Sequence, residues 1–121
     1  MTPSEANSHL PLKPIDLQLL LALAQEDQHG YGLVQAIEEA TDGLVQLDPG
    51  NFYRVIKRLL ADGLIAESEK RGTAEPENDR RRYYRLTALG RRVLAADLRR
   101  LQTLMKSPAV RTIVRGLEGA T

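Results

Sequence analysis

The sequence predicts a mostly α fold carrying one small β-hairpin. Three observations lead there. Three helix-like segments with apolar stripes precede residue 62, two short strand-like runs flank a loop rich in polar residues, and a long leucine stripe follows. The 121 residues suit one compact domain, and 42% hydrophobic with 27% charged is the balance of an ordinary globular chain.

Residues 1–11 are polar and unpatterned, and are expected to form a flexible N-terminal tail. Pro14 then sets up a helix over Ile15 to Gln25. Ile15, Leu19, Ala22 and Leu23 share one face, while Leu17, Leu20, Leu21 and Ala24 take the other. A helix apolar on both sides needs cover on both, and in so short a chain a second copy is a natural source. His29-Gly30-Tyr31-Gly32 reads as a turn, with His29 expected to make a local hydrogen bond or end a helix. A second helix follows to about Thr41, striped by Leu33, Ile37 and Ala40, and Asp42-Gly43 ends it. Leu44 to Leu47 fits either a short strand or a packed linker.

Asp48-Pro49-Gly50-Asn51 is a strong helix start: Asp accepts otherwise orphaned N–H groups, and Pro suits the first helical position. This third helix runs to about Asp62 and stops at Gly63. Phe52, Val55, Ile56, Leu59 and Leu60 form its apolar stripe; Asn51, Arg54, Lys57 and Arg58 lie opposite, with Tyr53 at the border. Leu64 to Glu69 and Arg82 to Leu86 read as strands around the loop Lys70–Asp79, a β-hairpin with a long connection. Thr87 is the N-cap expected for a helix from Ala88 to about Met105, striped by Leu94, Leu98, Leu101 and Met105. Ser107-Pro108 interrupts it, and a shorter piece from Ala109 to Leu117 repeats the pattern with Val110, Ile113, Val114 and Leu117.

Composition excludes several functions. Absence of Cys removes disulfides, thiol catalysis and thiolate metal sites. Two His are too few for an all-histidine zinc site, the acids show no metal-loop spacing, and no glycine-rich phosphate loop exists. Neither His sits near a recognisable nucleophile turn, so no enzyme activity, cofactor or metal is expected. The longest apolar run, Leu19 to Ala24, is far short of the ~20 residues that cross a bilayer. No secretory pattern opens the chain, and a cytoplasmic location is the expectation.

Charge supplies the most useful signal. The formal net charge of +1 conceals a split: residues 1–48 carry −7, and residues 49–121 carry +8. A basic surface on a nearly neutral molecule attracts a polyanion. Three helices followed by a two-stranded wing form a winged helix-turn-helix, in which the third helix enters the major groove of DNA. That helix needs one apolar face for anchoring and one face of Arg, Lys and Asn for base edges and phosphates, and residues 49–62 meet the need. The expected DNA-binding residues are therefore Asn51, Tyr53, Arg54, Lys57 and Arg58 on the helix, with Lys70, Arg71, Arg80, Arg81 and Arg82 around the hairpin. Glu75, Glu77 and Asp79 share the hairpin loop, so contacts are expected at its base rather than its tip. Pairing of the arginines with those acids is the competing role. A winged helix serving as a protein-interaction module without direct DNA binding is the alternative function.

The order and spacing of several segments resemble the PadR family of bacterial transcriptional regulators. They are His29-Gly30-Tyr31-Gly32, the run Asp48 to Leu59, Gly63-Leu64-Ile65, and the run Arg81 to Arg91. The resemblance covers roughly residues 12 to 105. It implies a homodimeric repressor that binds double-stranded operator DNA, with the first and C-terminal helices at the dimer interface. Its small subclass has one main dimerisation helix. The division implied is residues 1–11 as tail, 12–86 as winged helix-turn-helix domain, and 87–121 as dimerisation helix with a short terminal helix. Leu17, Leu20, Leu21, Leu94, Leu98, Leu101 and Met105 are the expected interface residues. The resemblance also implies a small hydrophobic or aromatic effector, although one Phe and no Trp provide little for an aromatic sandwich. The segment Ala109 to Thr121 is longer than a minimal member needs.

Overall fold

The computed structural model describes residues 3–68 and 82–119. Along them run α1 (Pro3–Asn7), α2 (Pro14–Gln25), β1 (Gln28–His29), α3 (Gly30–Ala40), α4 (Pro49–Ala61), β2 (Ile65–Glu67), β3 (Tyr83–Leu86), α5 (Ala88–Met105) and α6 (Pro108–Gly119). No helix among the described residues is long and apolar enough to cross a membrane.

Local chemistry sets the boundaries. Pro occupies the first turn of α2 and of α4, where its missing N–H costs nothing. The Asp48 carboxylate accepts the Asn51 N–H at 2.8 Å, capping α4 as its sequence implies. Gly63, at φ +74°, ends that helix in the left-handed region that favours glycine. Thr87 caps α5 by accepting the Gly90 N–H at 2.9 Å. The helix break at Ser107-Pro108 separates α5 from α6.

One core gathers these elements. Leu19, Leu20 and Leu23 of α2 meet Leu33 and Ile37 of α3, and Phe52, Val55, Ile56 and Leu59 of α4. Leu64, Ile65 and Tyr84 bring in the sheet, and Val93 and Leu94 bring in α5. Each such side chain taken fully from water contributes about 1.5–3 kcal/mol before entropy is charged against it.

Three expectations change. The N-terminal tail carries α1, whose Ala6 is buried and which packs against α5; a single apolar residue among polar ones leaves no periodic signal. The wing is joined by a third strand, giving an antiparallel sheet in the order β1-β3-β2. The turn expected over residues 29–32 is absent: His29 pairs with Tyr83 in β1, beside Gln28 with Tyr84, and Gly30, Tyr31 and Gly32 form the first turn of α3; the His29 and Tyr83 rings meet edge to face at 5.4 Å. His29 Nδ1 also accepts the Gly32 N–H at 3.1 Å, the helix-end role anticipated for it. Residues 44–47 form the packed linker rather than a strand, with Val45 and Leu47 against the core.

The third change concerns the leucines assigned to a dimer interface. Leu20 and Leu94 lie in the chain's own core, at 0% and 4% exposure. Leu17, Leu21 and Leu98 are half-buried against that core, and Leu101 is half-buried as well. Met105, at 54% exposure, is open. Further exposed apolar side chains on α5 and α6, unassigned in the interface, are Leu104, Ile113, Val114 and Leu117, the last at 68%.

Candidate nucleic-acid interface

The basic face of α4 is built by its own apolar face. With Phe52, Val55, Ile56 and Leu59 buried, helical spacing turns Gly50, Asn51, Arg54 and Lys57 outward, and all four are exposed. Neither Arg54 nor Lys57 makes a salt bridge among the described residues. Tyr53 is half-buried and packs edge to face on Phe52 at 5.9 Å.

Arg58 departs from this face. Its two terminal nitrogens donate to the two carboxylate oxygens of Asp16 on α2, each at 2.8 Å. Those hydrogen bonds raise the guanidinium pKa above its ordinary value, against the opposing effect of burial. Asp16 is almost wholly buried, whereas the Arg58 side chain keeps 38% of its surface. Sequence periodicity put Arg58 beside Arg54 and Lys57, but the neighbouring α2 presents a buried carboxylate that claims it. Asp16, the one charged residue of the largely apolar α2, was the available signal. The fork-to-carboxylate geometry fixes α4 on α2 in orientation as well as distance.

The far end of α4 is tied to α5. The Thr87 hydroxyl donates to the Gly63 carbonyl at 2.6 Å, and the Thr87 N–H donates to the Leu64 carbonyl at 3.2 Å. Gly90 lies so close to Leu64 that a Cβ there would overlap the Leu64 carbonyl oxygen. The outward face of α4 is thus held between α2 at Arg58 and α5 at Gly63–Leu64.

Around the wing, Arg82 Nη1 donates to Glu67 Oε1 at 2.8 Å, and both side chains are about half exposed. An exposed pair of this kind contributes little and exchanges readily for another anion. Lys70, Arg71, Arg80 and Arg81 lie outside the described residues. Ser68 Oγ donates to Asp27 Oδ2 at 2.6 Å, tying the residue after β2 to the residue before β1 on the far side of β3.

A cleft of about 150 Å³ opens between the N-terminal halves of α3 and α4. Its walls are Gly30, Tyr31 and Val34 on one side and Leu47, Pro49, Phe52 and Tyr53 on the other. Sequence reading placed Tyr53 among the DNA-side residues but found no role for Tyr31, which is 52% exposed. Only the pairing of two helix starts in space brings the tyrosines together.

Among the described residues no cluster of His, Asp and Glu is arranged to hold a metal ion. What the arrangement offers is a rigid convex helix with a cationic, hydrogen-bonding face, beside a strand pair bearing more arginine.

The family profile described as "Transcriptional regulator PadR-like family" matches residues 19–96. Transcriptional regulator Rv3488 of Mycobacterium tuberculosis is 34% identical over 92 residues, spanning 76% of this chain and 79% of that relative. A solved transcriptional regulator from Clostridium thermocellum is 25% identical, with 83% of this chain and 89% of that one aligned at a TM-score of 0.61. A PadR-like transcription factor from Bacteroides fragilis aligns with a TM-score of 0.64 at 24% identity, covering 82% and 88% of the two chains, a likeness of fold.

Proposed function

The chain belongs to the PadR-like family of transcriptional regulators, and from that premise we propose that it is a homodimeric repressor binding double-stranded operator DNA through α4. The observation that carries this is the face of Asn51, Arg54 and Lys57, exposed together on a helix whose opposite side is fully spent on the core. Arg and Asn are the side chains that pair in bidentate fashion with guanine and adenine, and Lys is a phosphate or guanine partner. Arg82, with Arg80, Arg81, Lys70 and Arg71 by sequence, supplies backbone contacts. Arg58 acts from behind as a positioning residue, holding the reading helix against α2.

Support for the homodimer is the apolar surface that the chain leaves open on α5 and α6, at Leu104, Met105, Ile113 and Leu117. A two-fold interface uses such a stripe twice. In this reading a small hydrophobic or aromatic effector releases the repressor. A protein-interaction module that never touches DNA is disfavoured by the exposed cationic face of α4, since surface cations of this kind serve a polyanion.

A gel shift against the DNA upstream of the chain's own gene, repeated over a salt series, tests the reading. Binding that exceeds binding to scrambled duplex, protects a pseudo-palindrome and weakens steeply with salt is the expected result. Equal affinity for both duplexes defeats it. Sedimentation at micromolar concentration should give a dimer, with Leu117→Asp shifting the chain to monomer.

A further inference from the structure

We propose that the cleft between α3 and α4 seats the 5-methyl group of an operator thymine, and that Gly50 is the opening through which the base edge reaches it. The inference rests on the DNA-binding reading above and deepens it by naming a base contact.

The first support is the chemistry of the walls. Apart from the tyrosine hydroxyls, Tyr31, Val34, Leu47, Pro49, Phe52 and Tyr53 offer no side-chain donor or acceptor. Such a surface, polar only at two hydroxyls among its side chains, favours an apolar group over a hydrogen-bonding one. The thymine methyl is the apolar feature of a major-groove edge, and it is recognised by apolar contact. At about 150 Å³ the cleft has room for a methyl group and the pyrimidine edge that bears it.

The second support is position and charge. A reading helix meets base edges through its N-terminal residues, and Pro49 and Tyr53 stand in the first turns of α4. Arg54 and Lys57 are exposed along the same helix, so the cleft adjoins a surface suited to a polyanion rather than to a neutral molecule.

Gly50 is the third support, independent of the cleft walls. It is exposed in the first turn of α4, and its backbone does not lie in the left-handed region. A Cβ built there meets one atom only, Asp48 Oδ1 at 3.5 Å, which is ordinary contact. Neither conformation nor internal packing therefore requires glycine, and a glycine weakens a helix relative to alanine. Its missing side chain serves something outside the chain. Helical spacing sets residue 50 beside Tyr53 and Arg54, at the border between cleft and basic face.

The test uses the full-length protein and an operator selected from random duplexes. Each thymine is replaced singly by deoxyuridine, which removes the methyl and keeps every hydrogen-bonding group. One position in each half-site should bind about fourfold more weakly, the factor for one buried carbon. Tyr31→Ala should weaken the unmodified operator and abolish the difference between thymine and deoxyuridine at that position. Gly50→Ala should melt at or above the wild-type temperature yet bind the operator at least fivefold more weakly. A flat deoxyuridine scan on an operator that outcompetes scrambled duplex overturns the proposal and leaves the DNA reading standing. Selection that yields no duplex better than scrambled removes both. A deoxyuridine penalty that persists in Tyr31→Ala, or wild-type affinity in Gly50→Ala, overturns the placement.

Discussion

Helices α4 and α6 have the same kind of sequence and opposite surroundings. Each carries an apolar stripe at helical spacing with cationic residues away from it. In α4 Phe52, Val55, Ile56 and Leu59 are buried and Leu60 is half-buried, and the chain itself fastens the helix through the Asp48 cap, the Arg58–Asp16 fork and the Thr87–Leu64 contact. In α6 Ile113, Val114 and Leu117 stay exposed, and the helix packs chiefly on α5. Periodicity tells which face of a helix is apolar. It does not tell which molecule covers that face.

The sharpest way to break the contrast is to unfasten α4. Gly90→Ala places a methyl on the Leu64 carbonyl, and backbone cannot step aside as a flexible side chain can. Overpacking at such a point costs about 3 kcal/mol, so the variant should melt about 10 °C lower in a chain of this size. An unchanged melting temperature would mean that α5 is not pressed onto the end of α4.

Arg58→Ala should have the next largest effect, and on stability. It leaves the Asp16 carboxylate buried without its guanidinium partner. Complete burial of both partners would make that cost about 3–5 kcal/mol; partial exposure of Arg58 brings the expectation to about 2 kcal/mol. Thermal or urea unfolding reads it. The double replacement Asp16→Leu with Arg58→Met, which removes both charges, should recover most of the loss, because no buried charge is left over.

Arg54→Ala, one turn earlier, should behave differently. Arg54 is exposed and forms no salt bridge among the described residues, so stability should change by less than about 0.5 kcal/mol. Discrimination between operator and scrambled duplex should fall by about 1–3 kcal/mol, confined to one position in each half-site. Titration of both duplexes with both variants sharpens the division of one helix into a reading arginine and a positioning arginine. Reversal of the two outcomes would exchange those roles.

Much of this was legible in the sequence because it is local. Asp48 as cap, Pro49 at the first helical position, Gly63 as stop, Thr87 as cap and Pro108 as break each act within a few residues, and all stand in the structure. The core stripe of α4 followed from spacing alone. The parts that were not legible depend on residues far apart in the chain. Asp16 and Arg58 are separated by 42 positions, β1 joins the sheet only because Tyr83 and Tyr84 arrive beside it, and Tyr31 and Tyr53 line one cleft from two different helices. Leu20 was indistinguishable from Leu21 by composition, yet one is core and the other half-buried. Asp97 gave no signal either. It is wholly buried on α5 with Arg100 Nε donating to Oδ1 at 2.7 Å and no partner at Oδ2 among the described residues.

The smallest predicted effect belongs to the unfastened helix and has the opposite sign. Gly116 lies one turn from the C-terminal end of α6, and a Cβ built there meets nothing within 4 Å. Glycine in a helix interior is less favourable than alanine by about 0.5–1 kcal/mol, chiefly because the unfolded chain surrenders more freedom. Gly116→Ala should therefore raise helicity in circular dichroism and stabilise α6 by up to that amount, where the same substitution at Gly90 is ruinous. The comparison separates a glycine required by close packing from one merely tolerated. It also probes what covers α6. In the proposed dimer the stripe of Val110, Ile113, Val114 and Leu117 faces the second copy, and Gly116 flanks that stripe at helical spacing. Dimer affinity in Gly116→Ala should then equal or exceed the wild type, because the added methyl finds open space beside the contact. A weakened dimer with raised helicity would instead place Gly116 within the interface, at a close approach of two backbones.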